Sequence, residues 1–140
     1  MMLGSASRRG RSGVYCLDTN IVIDMLRGDE TLRKKASSAG SVCISPPILA
    51  ELFKGAFLAD RRDEAIEIVE DFTKNIDMLP LDEESCKTFG QKFAELKATG
   101  KPTQEFDLLI GSIALAHGSA LVTRNRKDFE QIPGLEVVVW

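Results

Sequence analysis

Histidine is almost missing from this sequence: His117 is the single one in 140 residues. A zinc centre built on imidazoles has no material, and a nucleophilic serine or cysteine activated by histidine has very little. His117 stands near a helix C-terminus with no obvious partner for such a set. Cysteine is scarce and odd in number. Cys16, Cys43 and Cys86 lie far apart with no metal-ligand spacing, so no disulfide framework is expected. Cys16 and Cys43 fall in apolar runs and read as buried thiols in a reducing cytoplasm. No run of about 18 apolar residues occurs, so no transmembrane helix is expected. Arg8-Arg9 is followed by Gly10, Arg11, Ser12 and Gly13, not by the apolar stretch of a secretory leader. Positive charge is not in excess either. The formal net charge of −3 argues against a non-specific nucleic-acid binder and leaves room for a basic rim only locally.

What is present reads as one domain. A chain of this length buries roughly two thirds of its unfolded surface and folds without staples. Residues 1–13 are rich in Gly, Ser and Arg and read as a flexible tail; residues 14–140 read as the domain. Val14 to Leu17 is a buried strand, and Asp18, Thr19 and Asn20 end it and cap the helix that follows, which stops near Gly28. Leu32 to Ser38 is a short helix and Val42 to Ser45 a second strand. Pro47 opens a helix with Ile48, Leu49, Leu52, Phe53, Ala56 and Phe57 at helical spacing. Arg62 to Thr73 is a helix with Ala65, Ile66, Val69 and Phe72 on one face, and Ile76 to Leu79 is a third strand. After an acidic start at Asp82, Cys86, Phe89, Phe93 and Leu96 form the apolar stripe of a helix ending by Gly100. Phe106 to His117 is helical, Ala120 to Thr123 a fourth strand, Lys127 to Gln131 a turn and Val137 to Trp140 a last strand. Strands alternating with helices predict an α/β fold: a mostly parallel sheet of four to five strands, helices on both faces.

Ligands of such sheets bind beyond the carboxyl ends of the strands. Asp18 follows the first strand directly. Glu51 lies about one helical turn after the second. Asp107 begins the helix before the fourth strand, and Asn125 and Asp128 come just after it. Carboxylates gathered at one edge repel each other unless a cation sits between them. Oxygen donors without imidazole suit Mg²⁺ or Mn²⁺, and such a site suits phosphodiester hydrolysis. Each acid also has a plain reading: Asp18, Asp107 and Asp128 as helix caps, Glu51 as a solvated helix position.

Four pieces carry a resemblance. They are Cys16-Leu17-Asp18-Thr19-Asn20-Ile21-Val22-Ile23; Ser45-Pro46-Pro47-Ile48-Leu49-Ala50-Glu51-Leu52-Phe53-Lys54-Gly55; Phe106-Asp107-Leu108-Leu109-Ile110-Gly111-Ser112-Ile113-Ala114-Leu115-Ala116-His117-Gly118; and Leu121-Val122-Thr123-Arg124-Asn125-Arg126-Lys127-Asp128-Phe129, followed by Ile132-Pro133-Gly134-Leu135. In order and spacing the sequence resembles the PIN domain, specifically the VapC toxins of bacterial toxin–antitoxin pairs, over Val14 to Trp140. The resemblance implies a Mg²⁺- or Mn²⁺-dependent endoribonuclease in which Asp18, Glu51 and Asp107 hold metal. The family's fourth acidic position lands on Asn125, which adds no charge; Asp128 stands close enough to substitute. Thr19, Asn20, Thr123 and Asp128 are the expected supporting residues, the two threonines through hydrogen bonds to ligands or water. Gly111 stands where the family often has Ala, a small-for-small change expected to matter little.

The resemblance also implies a homodimer neutralised by a VapB-like antitoxin, with Phe53, Phe57 and Phe72 either lining its groove or packing in the core. Arg27, Lys54, Arg124, Arg126 and Lys127 are the cations near the expected site, with Arg124 to Lys127 best placed to touch RNA phosphates. Two other readings compete. A haloacid-dehalogenase-like phosphomonoesterase needs a second Asp two residues after the first, where this chain has Asn20. A catalytically weak PIN-like binding module would cut nothing.

Overall fold

In the computed structural model, which describes residues 13–101 and 103–140, the apolar run Val14–Leu17 forms the central strand β1. It is followed by α1 (Thr19–Leu26), α2 (Glu30–Ser38), β2 (Ser41–Ile44), α3 (Pro46–Leu58), α4 (Arg62–Thr73), β3 (Asp77–Met78), α5 (Glu83–Ala98), α6 (Glu105–Ala116), β4 (Ala120–Val122), α7 (Arg126–Phe129) and β5 (Val137–Val138). The strands form one parallel sheet in the order β3-β2-β1-β4-β5. Adjacent residues on a strand face opposite sides of the sheet. Cys16 and Leu17, and Leu121 and Val122, are all 0% exposed, so both faces of the central strands are covered. The expected tail lies outside the described residues apart from Gly13.

This strand order has a single reversal. The chain steps outward from β1 to β2 to β3, then returns across the sheet to place β4 on the other side of β1. The carboxyl ends of β1 and β4 therefore border the crevice where doubly wound sheets bind ligands. The backbone N–H of Asp18 donates to the Val122 carbonyl at 2.9 Å, tying the two strand ends together.

Several sequence expectations change, among them the last strand, which covers only Val137–Val138 instead of Val137 to Trp140. The third strand shrinks to Asp77–Met78, and its two residues are exposed because it lies at the sheet's edge. The expected turn after β4 is a single helical turn anchored by buried Phe129. The stripe on α5 is only half as expected: Leu96 is buried and Phe89 packs against the core, while Cys86 and Phe93 are exposed and Ser85 is buried in their place. Ser85 is drawn inward because its N–H and hydroxyl both donate to Asp82 Oδ1, at 2.9 and 2.8 Å. That cap fixes the phase of the first turn. Cys16 and Cys43 are buried as expected and sit opposite each other on β1 and β2.

Gly111 also departs from expectation. A Cβ there would lie 2.6 Å from Ile132 Cδ1 and 3.2 Å from Leu135 Cδ2. The missing side chain lets the segment after β4 press against α6, with Phe129 and Ile132 filling the seam at 1% and 2% exposure. Alanine would gain up to about 1 kcal/mol of helix propensity. It would also overpack this seam, which costs about 1–3 kcal/mol. Gly111→Ala is therefore expected to lower stability by about 1 kcal/mol, read as a lower denaturant midpoint at unchanged slope.

Candidate active site

Asp18 is the first residue after β1 and the N-cap of α1. It is a carboxylate only 7% exposed, and both of its oxygens are engaged. Oδ1 accepts the Thr19 N–H at 2.9 Å. Oδ2 accepts the Thr123 hydroxyl at 2.8 Å, a contact between residues 105 positions apart. Thr123 is itself oriented, because its Oγ1 accepts the Asn125 N–H at 3.0 Å. That bond turns the hydroxyl proton toward Asp18. On the other side, the Thr19 hydroxyl donates to Glu51 Oε1 in a short hydrogen bond from α1 to α3. Two threonines thus link Asp18, Glu51 and the end of β4 into one network.

Asp107 lies in the first turn of α6, half-buried. Burial first, and then the charges of Asp128, Asp18 and Glu51, together push its carboxyl up to about 6. Asp18 is also raised, first by burial; the Thr123 and Thr19 hydrogen bonds pull it back, and Glu51 and Asp128 add repulsion. Asp18 at the end of β1 and Asp107 on α6 therefore feel each other and the charges of Glu51 on α3 and Asp128 on α7 at the β1–β4 crevice. As placed, no three His, Cys, Asp or Glu side chains among the described residues converge closely enough to ligate one ion. The network's hydrogen bonds hold Asp18 and Glu51 where they are. The donor set itself, carboxylate and hydroxyl oxygen without sulfur or imidazole, is that of a hard divalent cation.

The remaining expected site residues divide. Asn20 is exposed. Asn125 is the N-cap of α7 but makes no capping bond with its side chain. Asp128 is not a cap; it lies inside α7 and acts on the other acids through its charge. Asp107 is not a cap either, since Gln104 holds that position. Lys127 borders a polar cavity of about 290 Å³ with Asp107, Asp128, Gln104 and Gln131. Lys54 is exposed on α3. Arg124 and Arg126, expected at RNA, are engaged within the protein. Arg126 Nη2 donates to the Val137 carbonyl at 3.3 Å. Arg124 pairs with Asp24 and Asp29.

His117 does have partners, contrary to the reading of the sequence. Its Nε2 lies 3.0 Å from the Pro80 carbonyl, 3.4 Å from Ser85 Oγ and 3.5 Å from Asp82 Oδ2. All three contacts use the same ring nitrogen, and Ser85 is fully buried and bonds Asp82 directly. A proton relay needs the two ring nitrogens to face different partners. This trio is a clasp between the start of α5 and the end of α6. Sequence spacing hid it because the contacts span 32 to 37 positions.

The sequence matches the PIN domain family over residues 15–135. The chain belongs to the PIN domain family. It is 34% identical to Ribonuclease VapC2 of Haemophilus influenzae over 128 residues, 90% of this chain and 97% of that protein. It is 33% identical to the tRNA(fMet)-specific endonuclease VapC of Shigella flexneri, with the same coverage of both. Among solved structures, DNA-bound VapBC from Salmonella typhimurium matches with a TM-score of 0.82 at 30% identity, covering 90% of this chain and 97% of that one. In this PIN domain the acids stand at the one reversal of the strand order. No helix among the described residues is long and apolar enough to cross a membrane.

Proposed function

We propose that this chain is a Mg²⁺- or Mn²⁺-dependent endoribonuclease, the toxin of a VapBC-type pair, acting in the cytoplasm as a homodimer restrained by a VapB-like antitoxin. The observation that carries the catalytic reading is the gathering of Asp18, Glu51, Asp107 and Asp128, where burial and then the charges of the other three leave the Asp107 carboxyl pushed up to about 6. Such crowding is costly in the free protein and is relieved by a bound cation. A divalent ion, when bound, supplies a Lewis acid that polarises a phosphate oxygen and activates water.

The chain's own residues supply the rest. Asp18 is the fixed member, held by Thr19 and Thr123. Glu51 and Asp107 are half-buried and, with Asp18, would hold the ion. Asp128 contributes the negative charge that Asn125 lacks. Lys127, on the cavity rim, neutralises a phosphate of the bound strand. An apolar groove of about 270 Å³ between α1, α3 and α4, lined by Leu26, Leu52, Ala56 and Ile68, suits an apolar antitoxin segment. Phe57 and Leu58 stand exposed on the same helix at 53% and 78%. Phe53 and Phe72, by contrast, pack against the core.

Purified protein incubated with structured RNA is expected to cut internal phosphodiester bonds with Mn²⁺ and to stop on addition of EDTA. Turnover of a small phosphomonoester without RNA cleavage would favour the phosphatase reading. No turnover of either would leave a binding module.

A further inference from the structure

Arg124 is the first residue beyond the site's Thr123, yet its side chain leaves the acids and reaches the corner between α1 and α2. Its Nη1 is in close contact with Asp24 Oδ2, and Nη2 lies 3.4 Å from Asp29 Oδ2. Both receiving groups belong to a rigid corner. The Asp29 N–H donates to the Asp24 carbonyl at 3.0 Å, and Asp29 Oδ1 caps α2 by accepting the Leu32 N–H at 3.1 Å. The Asp29 carboxyl lies below its ordinary range, chiefly through that Leu32 bond and further through Arg124. On Arg124's other flank, Thr123 and Asn125 carry the hydrogen bonds that orient the hydroxyl on Asp18. The guanidinium therefore joins the loop after β4 to the helix whose N-cap is Asp18.

We propose that Arg124 is a positioning residue for RNA cleavage: its fork clamps the β4–α7 loop onto the α1–α2 corner and keeps Thr123 and Asn125 in register with Asp18. The proposal rests on the nuclease reading above. A role in gripping RNA fits the surroundings less well, since two carboxylates already occupy the guanidinium and repel a phosphate. The three side chains are 41%, 30% and 34% exposed. Pairs that open to solvent contribute little to global stability. The clamp's effect is therefore on geometry at the acids, where small misplacements of supporting groups cost about ten- to a hundredfold in rate. A lysine has one compact ammonium in place of the fork and cannot bridge both carboxylates in the same way.

The test compares Arg124→Ala, Arg124→Lys, the double variant Asp24→Asn with Asp29→Asn, and their combination. Cleavage of a synthetic RNA at saturating Mn²⁺ is followed alongside hydrogen exchange of the Asn125 amide. A positioning role predicts that Arg124→Ala lowers kcat about tenfold with KM unchanged, and that the Asp24/Asp29 variant does the same. Combining them adds nothing further, and Arg124→Lys recovers only part of the loss. The Asn125 amide exchanges faster in the variants than in the parent, a readout that needs no RNA. A rise in KM for Arg124→Ala, together with tighter RNA binding when Asp24 and Asp29 are neutralised, would mean that the guanidinium serves RNA, and the proposal fails. It also fails if Asn125 exchange is unchanged. Absence of cleavage by the parent protein would count against the nuclease reading, while the exchange result would still decide the clamp.

Discussion

Asp107→Asn is expected to abolish RNA cleavage and, in metal-free buffer at pH 8, to make the protein more stable than its parent. In the folded chain the Asp107 carboxyl is pushed up to about 6 from an ordinary value of 3.8. The folded state thus holds its proton more tightly than the unfolded chain does. Stability from this residue is full below the unfolded value, declines as pH rises between about 4 and 6, and is lost above that. Asparagine keeps the shape and removes the charge that the other three acids oppose. After discounting for solvent at this half-buried position, the gain at pH 8 is about 1–2 kcal/mol, or about 5 °C in melting temperature for a domain of this size. Added Mn²⁺ should raise the parent's melting temperature much more than the variant's, because ligand binding stabilises in proportion to affinity. Activity should fall at least about a hundredfold. Melting curves at pH 4.5 and pH 8 with a parallel RNA assay decide it. Cleavage at the parent rate would remove Asp107 from the site, and equal melting at both pH values would remove the repulsion.

Thr123→Val tests the other side of the network, with the opposite sign for stability. The hydroxyl is fully buried and links Asp18 Oδ2 to the Asn125 N–H. Valine preserves volume but leaves a buried carboxylate oxygen and a backbone N–H without their partner. Each unsatisfied group costs about 1–3 kcal/mol, so a total loss of about 2–4 kcal/mol is expected in urea unfolding. Asp18 would keep the Thr19 bond at Oδ1 but lose the one that fixes Oδ2, and kcat should drop about ten- to a hundredfold even where the protein is fully folded. Thr123→Ser retains the hydroxyl and should restore most of the rate. A valine variant with parental kcat would show that Asp18 needs no such support.

How well the sequence could be read depended on the range of the interactions. The helix Arg62–Thr73 is observed with the bounds its periodicity predicts, because local spacing alone sets it. The placement of Asp18, Glu51 and Asp107 relative to the strands was legible for the same reason: strand ends and helix starts are local, and a parallel sheet puts them at one edge. What distance along the chain obscured were the pairings. Thr19 with Glu51 and Thr123 with Asp18 lie 32 and 105 positions apart, and no spacing rule reports them. Arg124 shows the cost of reading locally. Its neighbours suggested a phosphate contact, whereas its actual partners lie 95 and 100 positions earlier. Ser85 and Cys86 show the same at smaller scale, where a cap draws the serine of the first turn inward and leaves the neighbouring thiol exposed.

The position of β4 beside β1 has a consequence for how a cell can make such a protein. A ribosome that has translated β1 and Asp18 reaches Thr123 only 105 positions later, yet its hydroxyl must reach Asp18 for the site to assemble. Throughout that stretch of synthesis the cutting centre is unassembled, close to the very RNA that encodes it. Topology thus withholds the activity until β4 has emerged and paired with β1.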